Sequence, residues 1–432
     1  MTNLKMTLNR KLSPEFQTIN KIDFIKAEEH QLNNNVPLYS INAGSQDIIK
    51  IEFLFSAGSR FQKIPLIAYT TNNLINEGTT KRHSSEIAEI LDFYGSYLQL
   101  DVNDDFASVT LFSLNKHLEN LLPILQEVLM ESNFTEDELE TFIQNDRQQF
   151  IVSNEKVGHL ARKHFKELLF GSQHPYGYFV KKEDYEKVNR TSVLDFYENY
   201  YKNNGCKIIV AGKVTDKSID LINAYFGNEK YEIRNKKYEM RNEKYEMRNM
   251  KHYFPRKDVV QSAIRVGRVL FNKTHPDYFG MQLLNTVLGG YFGSRLMSNI
   301  REDKGYTYSI SSGIASLQQA GFFYIGAEVG ADICQKALDE IFFELKRLRE
   351  DLIPEKELEV VRNYLMGVFL RNADGPFALA DRFRSILEYN LDYSFYENYI
   401  KTILTTTPEE LRTLACKYFR EEDMVELVVG RK

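Results

Sequence analysis

The sequence has few of the residues that usually bind metals or form cross-links: its 432 residues include 3 cysteines and 8 histidines. Cys206, Cys334 and Cys416 are odd in number, far apart and without a C-x-x-C pair. This pattern excludes a disulfide framework and a thiolate metal site. We expect the three thiols to be buried as small apolar groups in a reducing compartment. Any metal chemistry would have very few ligands to draw on.

Long apolar runs are missing as well. No stretch of about 18 apolar residues occurs, so no membrane span is expected. Residues 1–10 alternate polar and apolar side chains, unlike the core of a signal peptide. We therefore expect a cytoplasmic protein. The 55 basic and 60 acidic residues give a net charge of −5, which argues against a nucleic-acid partner because phosphate binding needs a basic face.

Glycine (23) and proline (10) are scarce, while 43% of the residues are apolar, which excludes a disordered or collagen-like chain. The length predicts roughly two to four domains, and an internal duplication relates them. A shift of 219 positions places Thr135–Leu168 over Pro354–Leu387 with eight identities in 34 positions. The apolar segments Lys207–Gly212 and Val425–Gly430 correspond in the same way. We infer a tandem of two related units.

Strand and helix patterns alternate within each half. Ile49–Phe55 predicts a strand, and Tyr97–Phe112 predicts two more joined by a tight turn. A helical stripe begins at Ser84, and Thr135 with Glu138 forms a predicted capping box for a further helix. The predicted fold class is therefore α+β, with two similar tandem domains. Each domain is expected to pack a mostly antiparallel sheet against helices.

Between the halves, residues 230–250 repeat a seven-residue unit three times, as KYEIRNK, KYEMRNE and KYEMRNM. The apolar residues alternate at spacings of two and five, which does not form a coiled-coil seam. We interpret the segment as a solvated connector. The predicted organisation is an N-terminal domain over 1–229, a linker over 230–251 and a C-terminal domain over 252–432.

Several common catalytic signatures are absent, among them the phosphate-binding loop, the G-x-S-x-G nucleophile elbow and H-E-x-x-H. His159 and His164 are five apart, which places them on different sides of a helix. Glu155 and His159 have i,i+4 spacing, but no third ligand accompanies them. Structural roles are favoured for these residues.

An ordered set of local strings resembles the pitrilysin/insulinase family of zinc peptidases, in its two-domain, mitochondrial-processing-peptidase-like bacterial branch. The strings are FLFSAGSR at Phe53–Arg60, NEGT at Asn76–Thr79, LLFGSQHPYG at Leu168–Gly177 and the segment Leu283–Gly313, which contains R-E-D-K-G-Y-T-Y. The resemblance covers nearly the whole chain except the repeats. It implies that each half is a metallopeptidase-like α/β roll.

The same resemblance implies that this chain is non-catalytic. Active members carry H-x-x-E-H on the helix before the Gly-Thr pair, with a distant Glu as third zinc ligand. Here Tyr69 and Asn73 stand in place of the two His, Asn72 in place of the base, and Gln149 near the third ligand. Neutral amides and a protonated phenol bind zinc poorly, and an amide cannot accept a proton from water. No metal or cofactor is therefore expected in this chain.

Two-chain members of the family imply a role for such a chain. Their zinc-free subunit contributes an Arg and a Tyr, seven apart, to the partner's catalytic chamber, and Arg301 and Tyr308 match that spacing. A guanidinium can bond a peptide carbonyl or carboxylate through two N–H groups, and a phenol can donate to a carbonyl oxygen. We therefore expect the zinc-free subunit of a heterodimeric metallopeptidase, with zinc in an H-x-x-E-H partner and an extended peptide as substrate.

Two alternatives remain open at this stage. The chain could be a homodimeric scaffold or peptide-binding protein without peptidase activity. It could also be an active homodimer with unorthodox ligands such as Glu77 or His83, although neither has the spacing to join a zinc-binding pair.

Overall fold

The computed structural model describes residues 24–203, 205–228 and 250–431. The elements of the first half are β1 Glu28–Gln31, β2 Pro37–Asn42, β3 Ile48–Phe55, α1 Ile67–Leu74, α2 Ser84–Phe93, β4 Tyr97–Val102, β5 Ala107–Leu114, α3 Leu118–Met130, α4 Glu136–Asn154, α5 Val157–Phe170, α6 Arg190–Tyr197, β6 Lys207–Gly212 and α7 Asp216–Phe226. Those of the second half are β7 Met250–Pro255, β8 Gln261–Leu270, α8 Tyr278–Asn285, β9 Thr307–Ser316, β10 Gly321–Gly330, α9 Cys334–Glu350, α10 Glu355–Arg371, α11 Pro376–Leu387, α12 Ser394–Thr405, α13 Pro408–Tyr418 and β11 Val425–Gly430.

The strands form two sheets with matching topology. The first sheet has the order β1-β2-β6-β3-β5-β4 and the second has the order β7-β11-β8-β10-β9. In each sheet a single pair is parallel, β2 with β6 and β7 with β11, and the other pairs are antiparallel. The predicted fold class, two similar α+β units with mostly antiparallel sheets, is confirmed. The outer strands β4 and β9 occupy equivalent edges.

Local chemistry explains where these elements begin. In the β4–β5 turn the Asn103 side chain accepts hydrogen bonds from the backbone N–H groups of Asp105 and Phe106, both at 2.8 Å, as Asn does in tight turns. Thr135 caps α4 by accepting from the Glu138 N–H at 3.4 Å. The second hydrogen bond of the predicted capping box, from the Thr135 backbone N–H to the Glu138 carboxylate, is wrong. That carboxylate instead accepts from the Ser84 hydroxyl at 3.0 Å.

Each half covers its sheet with a helix from the other half. Helix α5 of the first half packs on β8 and β11 of the second sheet, and α11 of the second half packs on β6 and β2 of the first. Ala161 on α5 and Ala380 on α11 are related by the 219-residue shift, and both are completely buried. The duplication therefore includes a reciprocal exchange of helices, and the two hydrophobic cores depend on each other.

A buried ionic cluster fixes α11 to the first sheet. Glu52 on β3 is fully buried, and its carboxylate pairs with Arg384 of α11. Lys50, 6% exposed, lies 3.2 Å from Glu52 and 2.7 Å from Asp381 of α11. Because charges buried without a partner are strongly unfavourable, these pairs specify which helix covers this sheet.

We expect Arg384→Met to lower the free energy of unfolding by about 3 kcal/mol, because it leaves the buried Glu52 carboxylate with Lys50 alone. The double variant Arg384→Met/Glu52→Gln should recover part of this loss, since no unpaired carboxylate remains. Urea denaturation of the full chain measures both, with Arg412→Met on the exposed face of α13 as the matched control. A loss no larger than that of the control would show that the pair contributes little.

A second contact joins the turns of the two sheets. Asp105, in the β4–β5 turn, accepts hydrogen bonds from the Tyr176 hydroxyl at 2.6 Å and from the backbone N–H of Gln318, in the β9–β10 turn, at 2.9 Å. Arg60 lies 3.1 Å from the same carboxylate. Burial nevertheless raises the pKa of Asp105. The halves are thus joined at the turns as well as through the exchanged helices.

Two further expectations from the sequence concern the burial of the cysteines and the linker. Cys206 and Cys334 are buried as predicted, but Cys416 is exposed, because it lies on the outer face of α13, where its thiol donates to the Arg349 carbonyl. The repeats assigned to the 230–251 linker lie outside the described residues up to position 249, and β7 begins at Met250. No helix in the described ranges is long and apolar enough to span a bilayer.

Candidate functional site

Helix α1 carries the positions at which active zinc peptidases of the resembled family have their motif. Tyr69 and Asn73 lie one turn apart, as the i,i+4 spacing requires. Tyr69 is 40% exposed, and its ring centroid is 5.8 Å from that of Phe142 on α4. The Asn73 side-chain amide donates to the Tyr69 carbonyl at 2.8 Å. The helix therefore presents a phenol and an amide bonded to its own backbone.

Asn72, in place of the catalytic base, is a core residue. It is completely buried, and its Oδ1 accepts a hydrogen bond of 2.9 Å from the Tyr201 hydroxyl. Burial raises the pKa of Tyr201 well above its ordinary value, so the phenol stays protonated and donates. The Asn72 oxygen is thus engaged inside the fold, and an amide has no basicity near neutral pH.

The acidic residue that faces α1 is Asp146, which the sequence analysis missed. Gln149, the predicted equivalent of the third ligand, is exposed on α4. One turn earlier, Asp146 accepts a 2.6 Å hydrogen bond from Tyr185 and also interacts with Tyr69. The pKa of Tyr69 is raised by burial and then by this carboxylate. The number of residues after the zinc-motif positions identified the correct helix, α4. An acidic residue three positions before Gln149, about one helical turn away, was the signal in the sequence that could have identified Asp146.

These residues do not fit a zinc ion. Asp146 is bonded to Tyr185, the Asn72 oxygen is bonded to Tyr201, and Gln149 points into solvent. Among residues 24–203, 205–228 and 250–431, no three His, Cys, Asp or Glu side chains converge as metal ligands would. Glu77 lies near Glu138, and its pKa is raised by burial and then by that carboxylate. His83 stands at the N-cap of α2.

We expect Asn72→Asp to destabilise the protein by about 2–4 kcal/mol at pH 7, because it places a carboxylate in a fully buried site. Burial raises the folded-state pKa of such a group above its unfolded-state value. The penalty is therefore smallest below about pH 4 and grows as the pH rises. Thermal melts from pH 4 to 8 measure it. Asn73→Asp, on a half-exposed neighbour, is the matched control and should cost less than about 1 kcal/mol at every pH.

Arg301 and Tyr308, predicted from the sequence as a pair, lie together in the second half. Arg301 is in the π-helical turn Met297–Asp303, and Tyr308 is on the edge strand β9. Both line one cavity of about 600 Å³. Tyr308 is 91% exposed, and the Arg301 guanidinium lies 4.6 Å from the ring centroid of Phe292. The cavity thus exposes a phenol and a guanidinium stacked on an aromatic ring.

The turn that carries Arg301 is anchored from the opposite side by α9. The Asn299 side-chain amide donates to Glu344 at 2.8 Å and to Glu340 at 3.0 Å. Lys304 pairs with Glu340 as well. Gly305 follows at a φ of 64°, a conformation that favours glycine. These contacts hold the turn that carries Arg301 against α9.

A second cavity adjoins the first, between the start of α5 and the second sheet. It also measures about 600 Å³ and is lined by the first turn of α5, by β8 and β10, and by the loop before β8. His159 and Arg162 of α5 contribute polar side chains, as does Glu328 of β10. Gln261 lines both cavities. Because they share Gln261, the two cavities are neighbours, and we refer to them together as the groove.

Comparison with known proteins agrees with this architecture. A family model described as "Insulinase (Peptidase family M16)" matches residues 39–174, and one described as "Peptidase M16 inactive domain" matches residues 187–365. The chain belongs to peptidase family M16. Since the positions of its zinc motif hold Tyr69, Asn72 and Asn73, it is a non-catalytic member of that family.

Relatives and solved structures span most of this M16 chain. The uncharacterized zinc protease YmxG of Bacillus subtilis is 24% identical over 79% of this chain and 83% of its own length. The non-peptidase homolog YmxG of Helicobacter pylori is 22% identical over 83% of each chain. The crystal structure of a protease from Helicobacter pylori superposes with a TM-score of 0.83 at 19% identity, covering 94% of this chain and all of that one. That of a peptidase M16 inactive domain from Pseudomonas fluorescens has a TM-score of 0.82 at 21% identity, covering 94% of this chain and 98% of that one.

Proposed function

We propose that this chain is the zinc-free subunit of a heterodimeric M16 peptidase and donates Arg301 and Tyr308 to the active site of a zinc-bearing partner. The proposal is carried by one contrast. The motif helix α1 offers an engaged Asn72 and no basic group, whereas Arg301 and Tyr308 share an open cavity. The cytoplasmic location expected from the sequence is part of the same proposal.

The chemistry of the pair suits a peptide at the partner's catalytic centre. The planar Arg301 guanidinium can form two parallel hydrogen bonds to carbonyl oxygens. The Tyr308 phenol can donate to the carbonyl oxygen on which negative charge develops during attack by water. Neither role requires a metal in this chain.

The position of Tyr308 on an outer strand indicates how a peptide would bind. Among the described strands β9 is paired with β10 on one side, so its other edge could pair with an added strand, except near Ser312, whose carbonyl accepts from the Asn285 side chain. Ser309 and Ser311 on β9 are small and exposed, so they leave room for an extended chain. Such strand addition recognises backbone more than side chains, as a peptidase of broad specificity needs.

Co-expression with an H-x-x-E-H homologue of similar length tests the proposal. We expect a stable one-to-one complex by light scattering, with peptide hydrolysis by the complex and none by this chain alone. Zinc analysis should find the metal in the partner. If this chain, purified alone, bound one zinc per chain and cleaved peptides, the proposal would be wrong.

A homodimeric scaffold or peptide-binding protein is the second candidate. It is favoured by one relative, the non-peptidase homolog of Helicobacter pylori. The same co-expression separates the candidates, because a scaffold would remain a homodimer and would not gain activity with the partner.

A further inference from the structure

We propose that the cavity beside the first turn of α5 is a carboxylate-binding subsite, with Arg162 as the residue that contacts the carboxylate and Arg265 as a buried positive charge behind it. The ligand is an acidic side chain or the C-terminal carboxylate of a peptide lying in the groove. This inference rests on the proposed function in that it needs a peptide bound in the groove, and it adds a substrate class to it.

The first observation is a buried guanidinium that forms no ion pair among the described residues, although the Glu328 carboxylate acts on it electrostatically. Arg265 on β8 is 9% exposed, and its one described hydrogen bond runs to the carbonyl of the preceding residue, Ile264, at 2.8 Å. It forms no ion pair within the described residues. Gly326 leaves the space that the guanidinium occupies, because a Cβ there would lie 2.5 Å from Arg265 Nη1. Glycine on β10 thus allows an arginine to be packed across the sheet.

The second observation is another arginine, Arg162, on α5, the helix that packs on β8. Arg162, exposed on α5, lines the cavity and has no ion pair or hydrogen bond in the part of the chain that the structure describes. The pKa of Arg265 is lowered by burial and then by Arg162, while Glu328 opposes this effect. Two guanidiniums held near each other are mutually unfavourable, and an anion bound between or beside them would relieve the repulsion.

The carboxylates near the cavity have other partners. Glu155 is 3.0 Å from Arg256. Glu328 lies against the first turn of α5, where a Cβ on Gly158 would be 2.0 Å from its Oε1, so it already faces the positive end of that helix. The pKa of His159 is lowered by burial and then by three cations, Lys163, Arg162 and Lys156.

The subsite is next to the cavity of the Arg/Tyr pair. Gln261 lines both cavities, and its backbone is paired with that of Gly330 on β10. A peptide bound at Arg301 and Tyr308 whose chain continued past Gln261 into the second cavity would place one of its residues beside Arg162. A carboxylate on that residue would gain charge-assisted hydrogen bonds that an amide would not.

Four fluorescein-labelled peptides of twelve residues, otherwise made of Ala, Ser and Gly, test the subsite on the full chain. They combine Glu or Gln at the centre with a free or amidated C-terminus, so that the two sources of carboxylate are separated. By fluorescence anisotropy at low salt, we expect at least one carboxylate to tighten binding about ten-fold over the Gln, amidated peptide. Arg162→Gln should abolish that preference without weakening the Gln, amidated peptide, and Arg412→Gln should change neither.

The outcomes distinguish this inference from the proposed function. If all four peptides bind with the same affinity, or if Arg162→Gln still prefers a carboxylate, the subsite is wrong and peptide binding in the groove is unaffected. Failure of all four peptides to bind counts against the peptide groove itself, and the subsite fails with it. Arg265→Met should also reduce the preference; if that variant does not fold, Arg162→Gln decides the question alone.

Discussion

In a heterodimer with an H-x-x-E-H partner, Arg301→Ala is expected to lower kcat/KM for peptide hydrolysis about 100- to 1000-fold. The guanidinium is set on a turn anchored to α9 and stacked on Phe292, so it would meet the substrate without reorganisation. Preorganised donors of this kind contribute about 10²–10³-fold when they stabilise charge in the transition state. Tyr308→Phe, which removes only the hydroxyl, should cost about 10–100-fold, mainly in kcat.

Steady-state kinetics on the purified heterodimer measure these losses, with size-exclusion chromatography and zinc content as checks that assembly is unchanged. Arg301 should affect KM as well as kcat, because it can bond the ground-state peptide, whereas Tyr308 acts on charge that develops later. Arg412→Ala, on an exposed helix face of the same half, should retain full activity. Wild-type kinetics in the Arg301→Ala heterodimer would remove this residue from the partner's active site.

The strands and helices followed from the sequence because local rules decide them. The hairpin over residues 97–112 and the strands ending in Gly212 and Gly430 lie where their patterns predict. Periodicity identifies which face of α5 or α11 is apolar, but it cannot say which sheet that face covers. The exchange of these helices is decided by contacts hundreds of residues apart in sequence, such as Lys50 with Asp381, and no local pattern records them.

The candidate site shows the same division. The sequence alone shows that Tyr69 and Asn73 replace the zinc-binding histidines, and it shows the spacing of Arg301 and Tyr308. The contact between Asp146 and Tyr69 depends on how α4 packs beside α1, and counting residues led to the exposed Gln149 instead. The packing of α5, which carries Arg162, on β8, which carries Arg265, joins the two halves of the chain, so it too required the fold.

The exchange of helices predicts that neither half folds alone. A chain ending at residue 229 would lack α11, exposing Ile41 and Ile209 of the first sheet and leaving Glu52 without Arg384. A chain beginning at residue 250 would lack α5, whose Phe165 and Leu169 cover the second sheet. Each fully buried side chain of this size contributes about 1.5–3 kcal/mol. Losing several removes an amount comparable with the whole stability of a domain, about 5–15 kcal/mol.

We therefore expect residues 1–229 and 250–432, expressed separately, to be insoluble or to lack a cooperative thermal transition. Expressed together as two chains, they should form a one-to-one complex with the circular dichroism spectrum of the intact protein. The intact chain cut between residues 229 and 250 by an inserted protease site is the matched control, and it should stay associated because both helices remain in place. If either half alone were monomeric and melted cooperatively, its sheet would not need the helix supplied by the other half. The ionic cluster around Glu52 would then stabilise docking between two independent domains rather than the fold of each.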